Sequence, residues 1–196
     1  MSACMSGITC GWDGTANGEF PTALKILQYA PVRVIKFCPE DFSYGTPREM
    51  SDIHGGNGFD VLEGRAKVIS ESGKDWTDGM IKASERMLEI AKREQIEVAV
   101  LMDISAACGS QVIYSGNRFF DNKVYQIGAG VAAAQLIKNG FKVISQRDYA
   151  SLEILCSKID PHHQIDAAKM DHHETAWYKE YFQVDQEGRR GGLQGQ

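Results

Sequence analysis

The chain has no long apolar stretch, no excess of basic residues and no signal-like beginning, and each absence excludes a class of protein. Its longest apolar runs fall well short of the roughly 18 residues that a membrane-spanning helix needs. Because 26 acidic residues outnumber 21 lysines and arginines and no basic patch stands out, non-specific nucleic-acid binding is not expected. The first residues lack the basic and apolar regions of a secretory signal. We therefore expect a cytoplasmic protein that is not associated with a membrane.

A disulfide scaffold is also excluded, because the chain has five cysteines, an odd number, and no secretory signal. Its 43% hydrophobic and 24% charged residues are typical of a globular protein, and 196 residues suffice for one domain with a core. In a reducing compartment, cysteines serve as core residues, as metal or cluster ligands, or as nucleophiles. Their neighbours have to distinguish these uses.

Apolar runs alternate with helical patterns along the chain. Short strands are predicted at residues 32–37, 97–104 and Lys142–Ser145, and helices at residues 21–29, 77–95 and 130–138. The helix at 77–95 places its apolar residues three and four positions apart, on one face. The order predicts an α/β fold, a three-layer Rossmann-like domain with a mostly parallel sheet.

Three segments depart from this alternation. The Gly-, Pro- and Ser-rich residues 43–64 are predicted to form a long loop, and residues 66–70 one arm of a hairpin. Asp160 followed by Pro161 predicts the start of a helix that runs to about Phe182. The Gly-rich tail from residue 188 onward is predicted to be disordered.

Two cysteines follow predicted strands, Cys38 after residues 32–37 and Cys108 after residues 97–104. In an open parallel sheet, ligands bind beyond the carboxyl ends of the strands, so these two thiols are expected at one edge. Proline after a cysteine, as at Pro39, also recurs in iron–sulfur ligation. The alternative is that both are ordinary buried cysteines near strand ends.

The other cysteines give weaker signals. Cys4 and Cys10 are six residues apart, which is not the spacing of a zinc ribbon, and no second pair completes a tetrahedral site. A short Gly-containing turn between them still suits a site that wraps around an inorganic core. Cys156 lies among apolar residues of a predicted helix and is interpreted as a core residue.

Eight short motifs form the most specific signal in the sequence. They read SACMSGITCGWDG (2–14), CPE (38–40), TPR (46–48), DVLEGRAKV (60–68), GKDWT (73–77), SAACG (105–109), IYSG (113–116) and GAGVAA (128–133). In this order they resemble the iron–sulfur-dependent thiouracil desulfidase family. The resemblance implies a Rossmann-like α/β domain at residues 1–148 and leaves residues 149–196 as a helical extension with its tail.

The resemblance further implies a 4Fe-4S cluster held by three cysteines, which on this chain are Cys4, Cys38 and Cys108, with Cys10 as the alternative to Cys4 for the first ligand. The fourth iron is then open and acts as a Lewis acid toward the sulfur of a thiolated pyrimidine, such as thiouracil or its nucleoside. A soft iron site prefers this sulfur to a carbonyl oxygen. Water attacks the carbon that bears the sulfur, iron captures the sulfur, and hydrogen sulfide is released without electron transfer. The implied activity is hydrolysis of a carbon–sulfur bond in a small molecule.

Two further side chains are expected to take part in this chemistry. Glu40, two residues after Cys38, would activate water or carry a proton. Ser105, three residues before Cys108, would donate a hydrogen bond to the developing charge. The alternatives are a solvated carboxylate for Glu40 and a strand-end cap for Ser105.

Three nearby features can be explained by structural roles as well as by functional ones. Arg48 and Asp13 would hold the substrate or brace the loops, and we favour bracing for both. The Gly-x-Gly pattern at residues 128–130, before a helix, fits either an anion at the helix N-terminus or close helix–sheet packing. The chain departs from the family pattern at Ala106 and Ala107, where the family has proline and serine, and this changes the stiffness of the loop.

The extension carries four of the five histidines and a dense aromatic end. His162, His163, His172 and His173 are interpreted as part of a solvated face rather than as a metal site. The aromatic residues are expected to dock on the core or across a homodimer; they are Trp177, Tyr178, Tyr181 and Phe182.

Two other functions stay open at this point. The first is a non-catalytic iron–sulfur or zinc sensor of redox state or metal that uses all four of Cys4, Cys10, Cys38 and Cys108. The second is a metal-free thiol enzyme with Cys38 or Cys108 as the nucleophile. For that enzyme, His54 in the Gly-rich segment is the only plausible base.

Overall fold

The computed structural model describes residues 1–16, 18, 20–118 and 123–184. The helices are α1 Pro21–Lys25, α2 Pro39–Tyr44, α3 Gly58–Leu62, α4 Thr77–Arg93, α5 Val131–Lys138, α6 Tyr149–Ile159 and α7 Ala176–Phe182. The strands are β1 Ser51–His54, β2 Lys67–Ser70, β3 Val98–Leu101, β4 Val112–Tyr114, β5 Tyr125–Ile127 and β6 Lys142–Ser145. No helix in the described ranges is long and apolar enough to cross a membrane. The tail predicted to be disordered lies outside these ranges.

The parallel pairing in this fold involves β3, β6 and the first residues of the chain. Strands β3 and β6 pair in parallel, with Val98 opposite Lys142. Beside β3, the backbone N of Ser2 donates to the carbonyl of Val100 at 3.0 Å, and Ser2 forms a parallel bridge with Phe37. The α/β prediction is confirmed, but the described strands do not form a mostly parallel sheet: β3 and β6 pair in parallel, whereas β1–β2 and β4–β5 are antiparallel pairs.

The predicted strand at residues 32–37 is wrong for most of its length. Only its last residue, Phe37, forms a bridge, although the amino group of Met1 also donates to Ile35 O at 2.9 Å. The reason is the short partner: the chain enters a 3-10 turn at Ala3–Ser6, so only its first residues are available for pairing. Residues 32–36 therefore run beside them without forming a regular ladder.

The predicted loop at residues 43–64 is also wrong, because it contains β1 and α3. Strand β1 pairs antiparallel with β2, which confirms the predicted hairpin arm. Asn57 caps α3: its side chain accepts from the N of Phe59 at 2.9 Å, and Asp60 Oδ2 accepts from the N of Asn57 at 2.9 Å. A side chain at Gly58 would collide with Gly130, so the glycine there permits close packing rather than a flexible loop.

The helices close the core around the parallel strands. Helix α4 buries the predicted apolar face, including Met80, Met87 and Leu88. The first four residues of helix α5 are buried, and strand β6 follows with the predicted bounds. Cys156 in α6 is fully buried in the core, as predicted.

The helix predicted from Asp160 to Phe182 is wrong, because tertiary contacts replace helical bonds after α6. Glu153 Oε2 lies 2.9 Å from His163 Nε2 and accepts from the N of Asp166 at 3.2 Å, which holds this stretch in turns. Helix α7 begins later, with the side chain of Thr175 as its cap. The prediction of a solvated histidine face is wrong for His163 and His172, whose side chains are each 5% exposed.

Candidate functional site

All five side chains predicted to form the site line one cavity of about 330 Å³. They are Cys4, Cys38, Glu40, Ser105 and Cys108, and Cys10 lines the same cavity. The expectation that Cys38 and Cys108 meet at one edge is therefore confirmed. A larger cavity of about 480 Å³ lies elsewhere, between α6 and residues 31–35, and has no cysteine among its described lining residues.

Cys38 stands at the start of α2, where the preceding extended segment ends. Its Sγ accepts from the N of Asp41 at 3.4 Å and lies 3.8 Å from the carbonyl oxygen of Cys10. Pro39 fits the first helical turn because it has no N–H to satisfy. The helix start therefore fixes the direction of the Cys38 thiol and brings Glu40, in the first turn, to the same cavity.

The loop that carries Cys108 is held rigidly from two sides. Ser105 Oγ accepts from the N of Ala107 at 3.3 Å and from the N of Cys108 at 3.1 Å. From the other side, the N of Gly130 donates to Gly109 O at 2.7 Å, and the first N–H groups of α5 donate to loop carbonyls. A Cβ at Gly130 would lie 2.6 Å from the carbonyl carbon of Ala107.

This close contact explains the Gly-x-Gly pattern. The first N–H groups of α5 are occupied by the Cys108 loop, so they do not form the anion site considered above, and close packing is the correct interpretation. The same bonds stiffen the loop at Ala106 and Ala107, where the family pattern has proline and serine. The strand-end cap suggested for Ser105 is present, and its hydroxyl hydrogen is left to donate toward the cavity because both of its bonds are accepted ones.

The thiols make one another harder to ionise. Burial raises the pKa of Cys4 to about 12, with further increases from charge at Cys38 and Glu40. Burial likewise raises the pKa of Cys38 to about 12 and that of Cys108 well above its usual value. For Cys108, charge at Cys38 and Cys4 adds to the effect, while a hydrogen bond from Ser2 opposes it.

These pKa values argue against the metal-free thiol enzyme. A cysteine nucleophile needs a lowered pKa, and here the pKa values of the thiols are raised. His54, the base suggested for such an enzyme, is not among the described residues that line the cavity. Several buried thiols become thiolates together only when a cation compensates their charge, as metal binding does.

Arg48 braces the loops around Glu40 and Cys10, as expected. Its side chain is only 4% exposed, and its Nη1 donates to the carbonyls of Cys10 at 3.0 Å and Gly45 at 3.1 Å. Its Nη2 lies 3.4 Å from Glu40 Oε2. Asp13 is exposed and accepts from Thr15, so it too serves the local chain rather than the cavity.

Sequence reasoning missed an aromatic and cationic wall of the cavity. Arg118 Nε donates to Asp52 Oδ1 at 2.8 Å, and its guanidinium carbon lies 4.4 Å from the centroid of the Tyr114 ring. The ring of Tyr125 lies 4.9 Å from that of Tyr114, and all three side chains line the cavity. Only Tyr114 lay in a noted motif. Asp52 and Arg118 are 66 positions apart, and no local pattern signals their pairing.

Comparisons with known proteins identify the family of this chain. Residues 1–148 match the 2-thiouracil desulfurase family. The chain is 35% identical over 150 residues to the uncharacterized protein YbbK of Bacillus subtilis (strain 168), covering 76% of this chain and 95% of YbbK. A solved structure of a 4Fe-4S-dependent thiouracil desulfidase, TudS, is similar with a TM-score of 0.66 and 31% identity, covering 80% of this chain and 95% of TudS. The chain therefore belongs to the 2-thiouracil desulfurase family.

Proposed function

We propose that this protein is a non-redox desulfidase that replaces the sulfur of a thiolated pyrimidine with oxygen from water and releases hydrogen sulfide. The observation that carries the proposal is the single cavity in which cysteines, a carboxylate and a serine hydroxyl converge. The similarity to a 4Fe-4S-dependent thiouracil desulfidase supports the substrate class and the cofactor. The reaction balances without electron transfer: one thiocarbonyl and one water give one carbonyl and one hydrogen sulfide.

Cys4, Cys38 and Cys108 are the residues proposed to hold the 4Fe-4S cluster. The donor set fits, because buried cysteine sulfurs are the usual ligands of such clusters. All three thiols line the same cavity, which supports them as ligands of one group. When bound, a cluster held by three cysteines supplies an iron with an open position, a soft Lewis acid that favours sulfur over oxygen.

Glu40 is proposed as the base that takes a proton from the attacking water. Arg48 Nη2 lies near Oε2, which leaves Oε1 to accept the proton. Arg48 is fixed by two backbone carbonyls, so it also holds the carboxylate in place. Glu40 can pass this proton to the departing sulfur and then take the second proton from the new hydroxyl as the carbonyl forms, so that both hydrogens of the water end on hydrogen sulfide.

Ser105 and the aromatic wall are proposed to orient the ring of the substrate. The Ser105 hydroxyl accepts two backbone bonds, so its hydrogen can donate to charge that develops on the heterocycle. The rings of Tyr114 and Tyr125, tilted by 33° to each other, offer aromatic surface against which a pyrimidine can pack. A polar cavity of about 330 Å³ is at the lower end of the usual size for small-molecule sites.

The proposed function is tested with protein purified and reconstituted without oxygen. Incubation with 2-thiouracil should release hydrogen sulfide and uracil in equal amounts, and boiled protein should release neither. Cluster-loaded protein that releases no hydrogen sulfide from thiouracil, thiouridine or their monophosphates would contradict the proposal.

A second candidate function is a non-catalytic cluster protein with four cysteine ligands. It is favoured by one observation, that Cys10 is only 3% exposed and lines the same cavity as the other three cysteines. Such a protein has no open iron and would release no hydrogen sulfide. The two functions therefore differ at Cys10, which is a cluster ligand in the four-cysteine protein and not in the desulfidase.

A further inference from the structure

A buried hydrogen-bonded pair joins the C-terminal segment to the wall of the cavity that holds Cys4, Cys10, Cys38 and Cys108, called the cysteine cavity below. His172 Nδ1 lies 2.8 Å from Asp103 Oδ2, and the two side chains are 5% and 0% exposed. Because a carboxylate only accepts, Nδ1 is the donor. His172 lies beyond residues 1–148, the part of the chain that matches the family. Asp103 lies two residues after β3 and lines the cavity.

Asp103 in turn organises the loop that contains Ser105 and Cys108. Its other oxygen, Oδ1, accepts from the backbone N of Ser110 at 3.0 Å and from those of the next two residues at 3.3 Å. The N of Asp103 donates to Gln146 Oε1 at 2.6 Å. The carboxylate therefore ties together the two ends of the loop between β3 and β4. A buried carboxylate oxygen without a donor is costly, so the orientation of this carboxylate depends on the partner that donates to Oδ2.

The His172 ring is itself fixed by the C-terminal aromatic cluster. It stacks on Trp177 with centroids 5.4 Å apart and planes at 8°, and the N of His172 donates to Asp148 Oδ1 at 3.1 Å. Trp177 also packs edge-on against Tyr125, which lines the cavity. The aromatic end thus docks on the core, the first of the two arrangements expected from the sequence, and reaches two walls of the cavity.

We propose that His172 is a positioning residue of the candidate site, which acts through Asp103 to hold the loop of Ser105 and Cys108. The expected effect of His172 on the reaction rests on the proposed function. The loop geometry it concerns is a property of the folded chain and can be measured without turnover.

The test compares His172→Ala and His172→Asn with His173→Ala in the cluster-loaded protein. Hydrogen–deuterium exchange should rise about tenfold at residues 110–112 in His172→Ala, because their common acceptor loses its partner. Exchange in α4 should not change. The value of kcat should fall about tenfold while KM stays close to that of the wild type. The His172→Asn variant should restore both readouts, since the amide N of asparagine can donate to Asp103. The His173→Ala variant should behave like wild type, because His173 is exposed.

Unchanged exchange at residues 110–112 in His172→Ala would overturn the proposal. So would a rise of equal size in α4, because this would indicate general loosening rather than positioning. Failure of Asn to restore either readout would also contradict it. If the wild-type protein releases no hydrogen sulfide, the proposed function fails while the exchange pattern still decides whether His172 holds the loop.

Discussion

The two cavities described above differ more in their lining than in their size. The larger one, of about 480 Å³, is lined mainly by aliphatic side chains such as Ile26, Val34 and Leu155. The smaller one, of about 330 Å³, gathers cysteines, a carboxylate and arginines. Charged and polar groups cost free energy when they are buried, so their concentration beside four thiols in one cavity indicates a chemical role rather than a stabilising one.

The cysteines also divide between the core and the cavity. Cys156 is fully buried beside Leu152 in the core, far in sequence from the family motifs, whereas four other cysteines share a cavity. If the comparison is correct, changes in the cysteine cavity should affect iron and turnover, and changes at Cys156 should affect only the free energy of unfolding.

The largest effect is expected for Cys38→Ser and Cys108→Ser. Each variant removes one proposed cluster ligand with little change in side-chain volume, so iron content and hydrogen sulfide release should both fall to less than about a tenth of wild type. Iron per chain and sulfide release measure this directly. The matched control is Cys156→Ala, which should lose about 1 kcal/mol of stability and keep its iron. Equal iron loss in all three variants would remove the distinction between the cavity and the core.

Glu40→Gln should lower kcat by about 10³-fold with full iron content, because the amide cannot take the proton of the attacking water. Anaerobic steady-state kinetics with thiouracil, together with an iron assay, measure both parts of this prediction. The control is Glu71→Gln, an exposed carboxylate that does not line the cavity and should behave like wild type. A Glu40→Gln variant with normal kcat would limit this carboxylate to bracing Arg48.

Ser105→Ala should lower kcat by about 10²-fold, a smaller effect, because one hydrogen-bond donor is lost. Ser105→Thr retains the hydroxyl and should recover most of the activity. If Thr fails to recover activity while the iron content of both variants is normal, the role of Ser105 is confined to the cap of the Cys108 loop.

The smallest effect is expected for Cys10→Ser. The proposed desulfidase needs only three thiolate ligands, so this variant should retain wild-type iron content and turnover. Loss of the cluster in this variant, together with absence of hydrogen sulfide release in the wild type, would instead support the four-cysteine sensor.

The site was predictable where it depends on strand ends. Cys38 and Cys108 follow apolar runs, and the rule that ligands bind beyond the carboxyl ends of parallel strands predicts that they lie close together, although Cys108 is carried by a loop that begins after β3 ends at Leu101. It holds even though residues 32–37 pair only at Phe37. Glu40 follows from Cys38 because both lie at the start of α2.

The parts that escaped prediction depend on contacts between residues that are distant in sequence. Asp52 and Arg118 are 66 positions apart, and Asp103 and His172 are 69 positions apart. The loop predicted at residues 43–64 failed for a related reason, because Gly58 serves close packing against Gly130. Local composition records the glycine but not the neighbour that requires it.

The presence of a cluster in the cysteine cavity is tested most directly by measuring iron, acid-labile sulfide and zinc per chain on protein purified without oxygen. About four iron and four sulfide per chain, with the visible absorption of a 4Fe-4S cluster, are expected. Zinc in place of iron, or no metal after attempted cluster reconstitution, would contradict the proposed desulfidase.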